Sequence, residues 1–313
     1  MTNGVAIDFG TTRTKLAYLD GNRPQLMRFE GDRAHAPSLF YLQRGGAGIA
    51  WGFDAQAMLH ADPAGVIDVP KRRLRERQLR ANGRAEPPVR LLATMLADLR
   101  QRVGEEVTVF AGRPPSRVVL TAPALYGPVE EAVLRQAAVA AGFDQAAIEL
   151  VPEPVAAARA WLAETGERVD EVVVLDCGGG TVDWAYLRRE GNDLRVVVTC
   201  PPGGDQHVGG HDVDLELLEL VRDRLDDPAA VAELEAQRVH YLGEVRELKE
   251  RFGRGLPLGQ FRVAGRGLTL EEAEVRQAIE ERFIAQVCSG LADYLRSVER
   301  EARRVPPVLL VGG

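Results

Sequence analysis

The chain has 313 residues, 45% of them apolar, enough to bury a substantial core in one large or two ordinary domains. Its 39 Lys and Arg against 46 Asp and Glu leave a formal charge of −7, which offers no field for holding nucleic acid or an anionic membrane, so neither is expected as a partner. Cys177, Cys200 and Cys288 are widely spaced and form no C-x-x-C pair, which argues against a disulfide framework or a zinc knuckle and suits a reducing cytoplasm. The N-terminus runs straight into the strand-like Val5-Ala6-Ile7 with no export signal, and no apolar run approaches the roughly 20 residues of a bilayer span, so a soluble, cytoplasmic protein is expected.

Residues 5–9 and 15–19 read as two short strands around the turn Gly10-Thr11-Thr12. Between about 31 and 104 glycines and prolines punctuate a less regular stretch, expected to be an inserted subdomain. Residues 117–122 form a β-branched strand, after which Gly127-Pro128 opens a helix that stops at Gly142. A helix over 153–164 and a fully buried strand over 172–175 follow. Asp176-Cys177-Gly178-Gly179-Gly180-Thr181-Val182-Asp183 then repeats the opening design of strand, acidic residue, Gly/Thr turn and strand, so the halves read as duplicates. Apolar periodicity predicts helices over about 212–225, 229–252 and 271–300, and 308–313 closes on a strand; the alternation argues α/β with mixed sheets.

In Asp8-Phe9-Gly10-Thr11-Thr12, glycine permits close approach while backbone N–H groups and two hydroxyls converge on a small anion. The same residues also suit a plain hairpin in which Asp and Thr cap the turn, and taken alone the two readings stand about even. The second turn shifts the balance. Asp176 ends a buried strand, where an unpaired carboxylate is costly without a cation or donors. A Mg²⁺ ion shared by Asp8 and Asp176 resolves both, mainly through metal-bound water, since this ion keeps several waters and takes phosphate oxygens as ligands.

These two turns, together with Val308-Leu309-Leu310-Val311-Gly312-Gly313, resemble in order and spacing the two phosphate motifs and the start of the adenosine motif of the actin/hexokinase/heat-shock ATPase superfamily. Within it, Val69-Pro70-Lys71-Arg72, Val119-Leu120-Thr121-Ala122-Pro123, Pro152-Glu153-Pro154-Val155-Ala156-Ala157-Ala158 and the stretch from Gly204 to Asp214 are similar to the nucleotide-binding domain of DnaK-type 70-kDa heat-shock chaperones, over nearly the whole chain. The resemblance implies an actin-like ATPase fold of two lobes, each on a duplicated ribonuclease-H-like mixed sheet. Lobe I would cover 1–167, with an insert over about 35–104, and lobe II 168–313, with an insert over about 210–280. It implies ATP/ADP and Mg²⁺ as cofactors and slow hydrolysis to ADP and phosphate, with lobe closure signalling to a client-binding region or cochaperone outside this chain. Lys71 matches the lysine reaching the γ-phosphate and attacking water, Glu153 and Asp183 the acids that order the water and metal shell, and Thr181 the hydroxyl beside the γ-phosphate; with Asp176 these form the catalytic set. Asp8, Gly10, Thr11, Thr12, Gly178, Gly179, Gly180, Gly209, Gly210, Lys249, Gly312 and Gly313 would bind nucleotide.

Some features also have plainer readings. Apart from the family match, the basic run 71–77 reads as a solvated face. His207 and His211 stand four apart among acids, but the intervening glycines favour a turn over a metal site. Lys249 falls where the chaperones place a lysine against adenosine, and an exposed helix with i,i+4 charge pairs suits it nearly as well. Cys177 reads as a small packed side chain. The adenosine motif is expected to stop short at Gly313, leaving part of the adenine pocket missing. A non-hydrolysing actin-like scaffold or filament protein, and a small-molecule kinase of the same superfamily, are the alternatives.

Overall fold

The computed structural model describes residues 4–312. Two mixed sheets organise it. In the first, the meander of strands Gly4–Phe9, Arg13–Asp20 and Arg23–Leu26 continues on its other side into the parallel strands Arg117–Ala122 and Ile148–Pro152. In the second, the meander Glu171–Cys177, Val182–Glu190 and Asp193–Val196 is joined by the parallel strand Val308–Gly312. Each sheet is thus an antiparallel meander whose first strand takes a parallel neighbour from later in the chain. This common plan is the duplication expected from the two turns.

The apolar pattern explains how each sheet is covered. Val5, Ile7 and Phe9 are buried on one face of the first strand, which leaves Ala6 and Asp8 on the other. Val172 to Val174 are all buried, because helix Glu153–Thr165 packs beneath Val172 and Val174 while Val287, Tyr294 and Val298 of helix Ala285–Glu301 pack with Val173 and Leu175. Two covered faces produce the continuous apolar run seen in the sequence.

Helix Pro128–Ala140 carries proline at its first position and a capping box in which Glu130 accepts from the Gly127 N–H, and Gly142 follows at φ +89°. The helix expected over 229–252 is two, Pro228–Ala236 and Arg238–Gly253, broken at Gln237 (φ −113°, ψ 27°). The helix expected over 271–300 contains a π-helical turn, Glu280–Ile284, between Glu272–Ile279 and Ala285–Glu301. In both cases the apolar spacing continues across the interruption, so periodicity alone joins the segments. Among the described residues no helix is long and apolar enough to cross a membrane.

Candidate functional site

The two Gly/Thr turns are built alike. The Gly10 N–H donates to the Arg13 carbonyl at 3.0 Å, and the Gly178 N–H to the Thr181 carbonyl at 2.9 Å. A Cβ on Gly10 would overlap the Arg13 carbonyl oxygen, so the turn requires glycine there. The turns also meet. Gly179 lies against Thr12 and Gly180 against Thr11, each so close that a Cβ would come within 3.0 Å of the threonine side chain. Gly209 backs directly onto Gly180, and the N–H groups of Gly210 and His211 donate to the carbonyls of Gly178 (3.1 Å) and Gly179 (2.7 Å). Gly312, at φ +108°, abuts Cys177. Gly313 lies outside the described residues.

Carboxylates gather beside these turns. Asp176 and Asp183 sit directly opposite each other on adjacent antiparallel strands, a like-charge cross-strand pair that is unfavourable unless a cation joins it. Asp183 is 1% exposed; Thr181 donates to its Oδ2 at 2.8 Å, and its Oδ1 has no hydrogen-bond partner. Burial pushes the Asp183 carboxyl up to about 6. Asp176 is raised as well, chiefly by burial and then by Asp8. In the first sheet Thr121 donates to Asp8 Oδ1 at 2.9 Å, so each sheet holds one of these carboxylates with a threonine hydroxyl.

Lys71 is 6% exposed and donates to Glu153 Oε1 at 2.5 Å. It lies in the turn Pro70–Arg73, after Val69 at φ 41°, a left-handed conformation that costs a β-branched residue on the order of 1–3 kcal/mol and is maintained by its surroundings. Tyr126 donates to the Lys71 carbonyl at 3.0 Å and anchors the same turn. Burial would lower the Lys71 ammonium, but Glu153, Tyr126 and Asp8 outweigh it and hold the group above its ordinary range. Glu153 is nevertheless pushed up to about 7, by burial first and then by Asp8 and Asp176 against the pull of Lys71. The two partners thus move upward for different reasons, Lys71 because of the acidic groups around it and Glu153 chiefly because of its burial. The cluster has excess negative charge.

On the far side of the turns the balance reverses. Asp214 is fully buried and takes Lys249 Nζ at 2.5 Å and Arg246 Nε at 2.8 Å, while Lys249 also donates to the Gly210 carbonyl. Lys249 is thus packed against the glycine turn, not displayed on an exposed helix face. Burial, the largest effect, leaves its ammonium below its ordinary value. His211 is 5% exposed and lowered by burial, and the His207 N–H donates to Asp205. Among the described residues no three His, Cys, Asp or Glu side chains come together closely enough to hold a metal ion alone. Cys177 is partly buried, its thiol pushed up to about 11 by burial and by Asp176.

Several contributors escape sequence reasoning. Arg72 donates through Nε to the Gly180 carbonyl at 2.7 Å and holds Asp212 with both terminal nitrogens, so a residue of the basic run ties the turn of Lys71 to the second glycine turn. Arg13 reaches Glu250 at 2.5 Å. His60 and His240 meet with ring centroids 4.2 Å apart. Their only sequence signals are positional: Arg72 follows Lys71, and Arg13 ends the first turn.

With this geometry in view, comparison with known proteins is informative. A family model described as Hsp70 protein matches residues 67–313. The chain is 25% identical over 320 residues to a chaperone protein DnaK of Mycoplasmopsis pulmonis, covering 99% of this chain and 51% of that protein. It is 24% identical to the DnaK proteins of Metamycoplasma hominis and Thermotoga petrophila, again over 99% of this chain and 52% of each. The chain therefore spans about half the length of these curated relatives.

Proposed function

This chain belongs to the Hsp70 protein family, and on that premise we propose that it binds ATP at the paired glycine turns and hydrolyses it slowly with Mg²⁺ as the nucleotide-binding part of a chaperone. The observation that carries this reading is the convergence of two glycine turns beside Asp176 and Asp183, which face each other with Lys71 as the buried ammonium nearby among the described residues. Backbone N–H groups of the turns and the hydroxyls of Thr11, Thr12 and Thr181 suit the phosphates. Asp8 and Asp176, with the orphaned Oδ1 of Asp183, suit a Mg²⁺ ion held through water and phosphate oxygens. That ion would supply charge neutralisation on the phosphate oxygens.

In this reading Lys71 neutralises charge developing on the γ-phosphate and orients the attacking water. Glu153, with a carboxyl near neutrality, holds that water by hydrogen bonding. Lys249, fixed by Asp214, faces the nucleoside side of the Gly210 turn. Positioning and electrostatics supply the catalysis, with no covalent enzyme intermediate. Residues 1–167 and 168–313 are proposed as the two lobes, and the links of Arg72 to Gly180 and Asp212 as contacts that report closure to a client-binding region or cochaperone elsewhere in the full protein.

The test is ATP binding and single-turnover hydrolysis with and without Mg²⁺, comparing the wild-type chain with Lys71→Ala. Metal-dependent turnover that disappears in the variant while ATP still binds is the expected result. A folded wild-type chain that binds no nucleotide would overturn the proposal.

A further inference from the structure

Away from the glycine turns, the second sheet has another basic concentration that the proposed reaction does not use. Arg188, Arg189, Arg303 and Arg304 line a hollow of about 380 Å³ together with Asp170, Glu171 and Gly191. Glu171 begins the strand whose other end carries Asp176, so five residues at about 3.3 Å each place the hollow about 17 Å from the phosphate turns.

Arg188 and Arg189 are fixed in ways that leave donors free, and the Arg303 and Arg304 side chains are exposed. Arg188 donates to Glu171 Oε1 (3.0 Å), the Tyr186 hydroxyl (3.2 Å) and the Glu301 carbonyl (2.7 Å). Arg189 is anchored through Nε to the Val169 carbonyl at 3.0 Å, and its nearest carboxylate, Asp170, is 3.9 Å away with a side chain 92% exposed. Glu171 spends its second oxygen on the Arg303 backbone N–H at 3.1 Å, so both of its oxygens are already engaged. Among the described residues Arg303 and Arg304 have no ion-pair partner, although most arginines near them do. Four guanidinium groups therefore face two carboxylates, in a chain whose overall charge is negative.

We propose that this hollow is a binding site for a small phosphate-bearing anion, separate from the nucleotide site. Planar guanidinium groups match phosphate oxygens in paired hydrogen bonds, and the space suits a ligand at the small end of those held in protein pockets. Two neighbouring phosphates engage more of the four arginines than one does, so pyrophosphate binds more tightly than inorganic phosphate. The bound anion bridges the end of strand Val182–Glu190 to the segment that leads into strand Val308–Gly312.

Isothermal titration of the whole chain with inorganic pyrophosphate at low ionic strength tests this, with inorganic phosphate and ADP as parallel arms. The Arg303→Gln/Arg304→Gln variant changes two exposed side chains and keeps the backbone contact to Glu171. Pyrophosphate affinity is expected to fall at least tenfold in this variant, to fall with added salt in the wild type, and to exceed that of phosphate, while ADP affinity stays constant. Pyrophosphate binding that is absent from the wild type, or equal in both proteins, overturns the proposal. Parallel loss of ADP and pyrophosphate also overturns it, because the anion would then share the nucleotide site. Failure of ATP hydrolysis leaves this inference standing, since neither arm reads turnover.

Discussion

Two lysines flank the paired glycine turns, Lys71 buried and Lys249 half-buried, and their surroundings differ in one respect. Lys71 is surrounded by Glu153, Asp8, Asp176 and Asp183, and its ammonium is held above the ordinary range. Lys249 shares a single buried carboxylate, Asp214, with Arg246, and burial leaves it below that range. One side of the turns has excess negative charge and the other excess positive charge. In a buried pair of matched charges desolvation offsets attraction, whereas a buried charge without compensation is costly. In the proposed function the side around Lys71 suits a cation and the side around Lys249 an electron-rich group.

The comparison is broken most directly by removing each lysine in turn. In the proposed reaction Lys71→Ala is expected to slow single-turnover hydrolysis by about 10²–10³-fold, the usual cost of losing a transition-state charge stabiliser, with ATP affinity changed only a few-fold. Lys249→Ala is expected to do the opposite, weakening nucleotide binding about tenfold, as for loss of one charged hydrogen bond, while bound ATP turns over at near the normal rate. Equal effects of the two variants on both steps would remove the distinction between the sides.

The proposed metal ion can be approached through Asp183. Its folded carboxyl titrates at about 6 against 3.8 unexposed to the fold, so the folded chain binds the extra proton between those values. The charge therefore costs stability as pH rises through that window, and the full cost, about 3 kcal/mol, applies above it. Without metal, Asp183→Asn is expected to be more stable than wild type at pH 8, with the advantage gone below pH 4, as read by chemical denaturation. In metal titrations with nucleotide the same variant is expected to need 10- to 100-fold more Mg²⁺. Stability that does not change with pH in this way would mean that Asp183 is compensated by a group other than a cation.

Contact between the turns is a smaller and sterically defined effect. An added Cβ at Gly180 would overlap Thr11, so Gly180→Ala is expected to cost about 1–3 kcal/mol of stability and to lower ATP affinity. Gly191→Ala sits in a turn where a Cβ meets nothing within 4 Å, although its φ of +63° still favours glycine, and it controls for backbone strain alone. Comparable nucleotide loss in both would locate the effect in strain and not in turn-to-turn contact.

What the sequence revealed follows the range of the interactions. The turns were legible because Asp, Gly and Thr at fixed spacing reflect local backbone needs, and helix Pro128–Ala140 was legible because proline and glycine mark its ends. The break at Gln237 was not, since apolar spacing runs through it. The basic run 71–77 divides in a way no charge pattern can show: Lys71 is buried, whereas Arg75 and Arg77 are exposed, because the turn after Val69 sends successive side chains in different directions. The family resemblance pointed to Lys249, but its partner Asp214, 35 residues away, required coordinates. The ties from Arg72 to Asp212 and from His60 to His240 join segments more than a hundred residues apart, beyond any local pattern.

The His60–His240 contact gives the smallest expected effect and a pH-dependent check on closure. Helix Gly52–Ala61 ends beside helix Arg238–Gly253 at this point, and Val239 packs against Leu59 in the same apolar cluster. His240 also has Glu244 at 3.2 Å and the Tyr241 ring at 5.1 Å. Burial and then His60 hold His240 below its ordinary 6.5, so this ring binds fewer protons in the packed state than when the helices separate. The contact is therefore at full strength above about pH 6.5 and weakens as pH falls below it, partly offset by Glu244. If separation of these helices accompanies nucleotide release, ADP should leave faster at about pH 5.5 than at about pH 7.5. His240→Gln and His60→Gln should each flatten that dependence in stopped-flow release of a fluorescent ADP. A slope that survives in both would assign the pH response to groups other than this histidine pair.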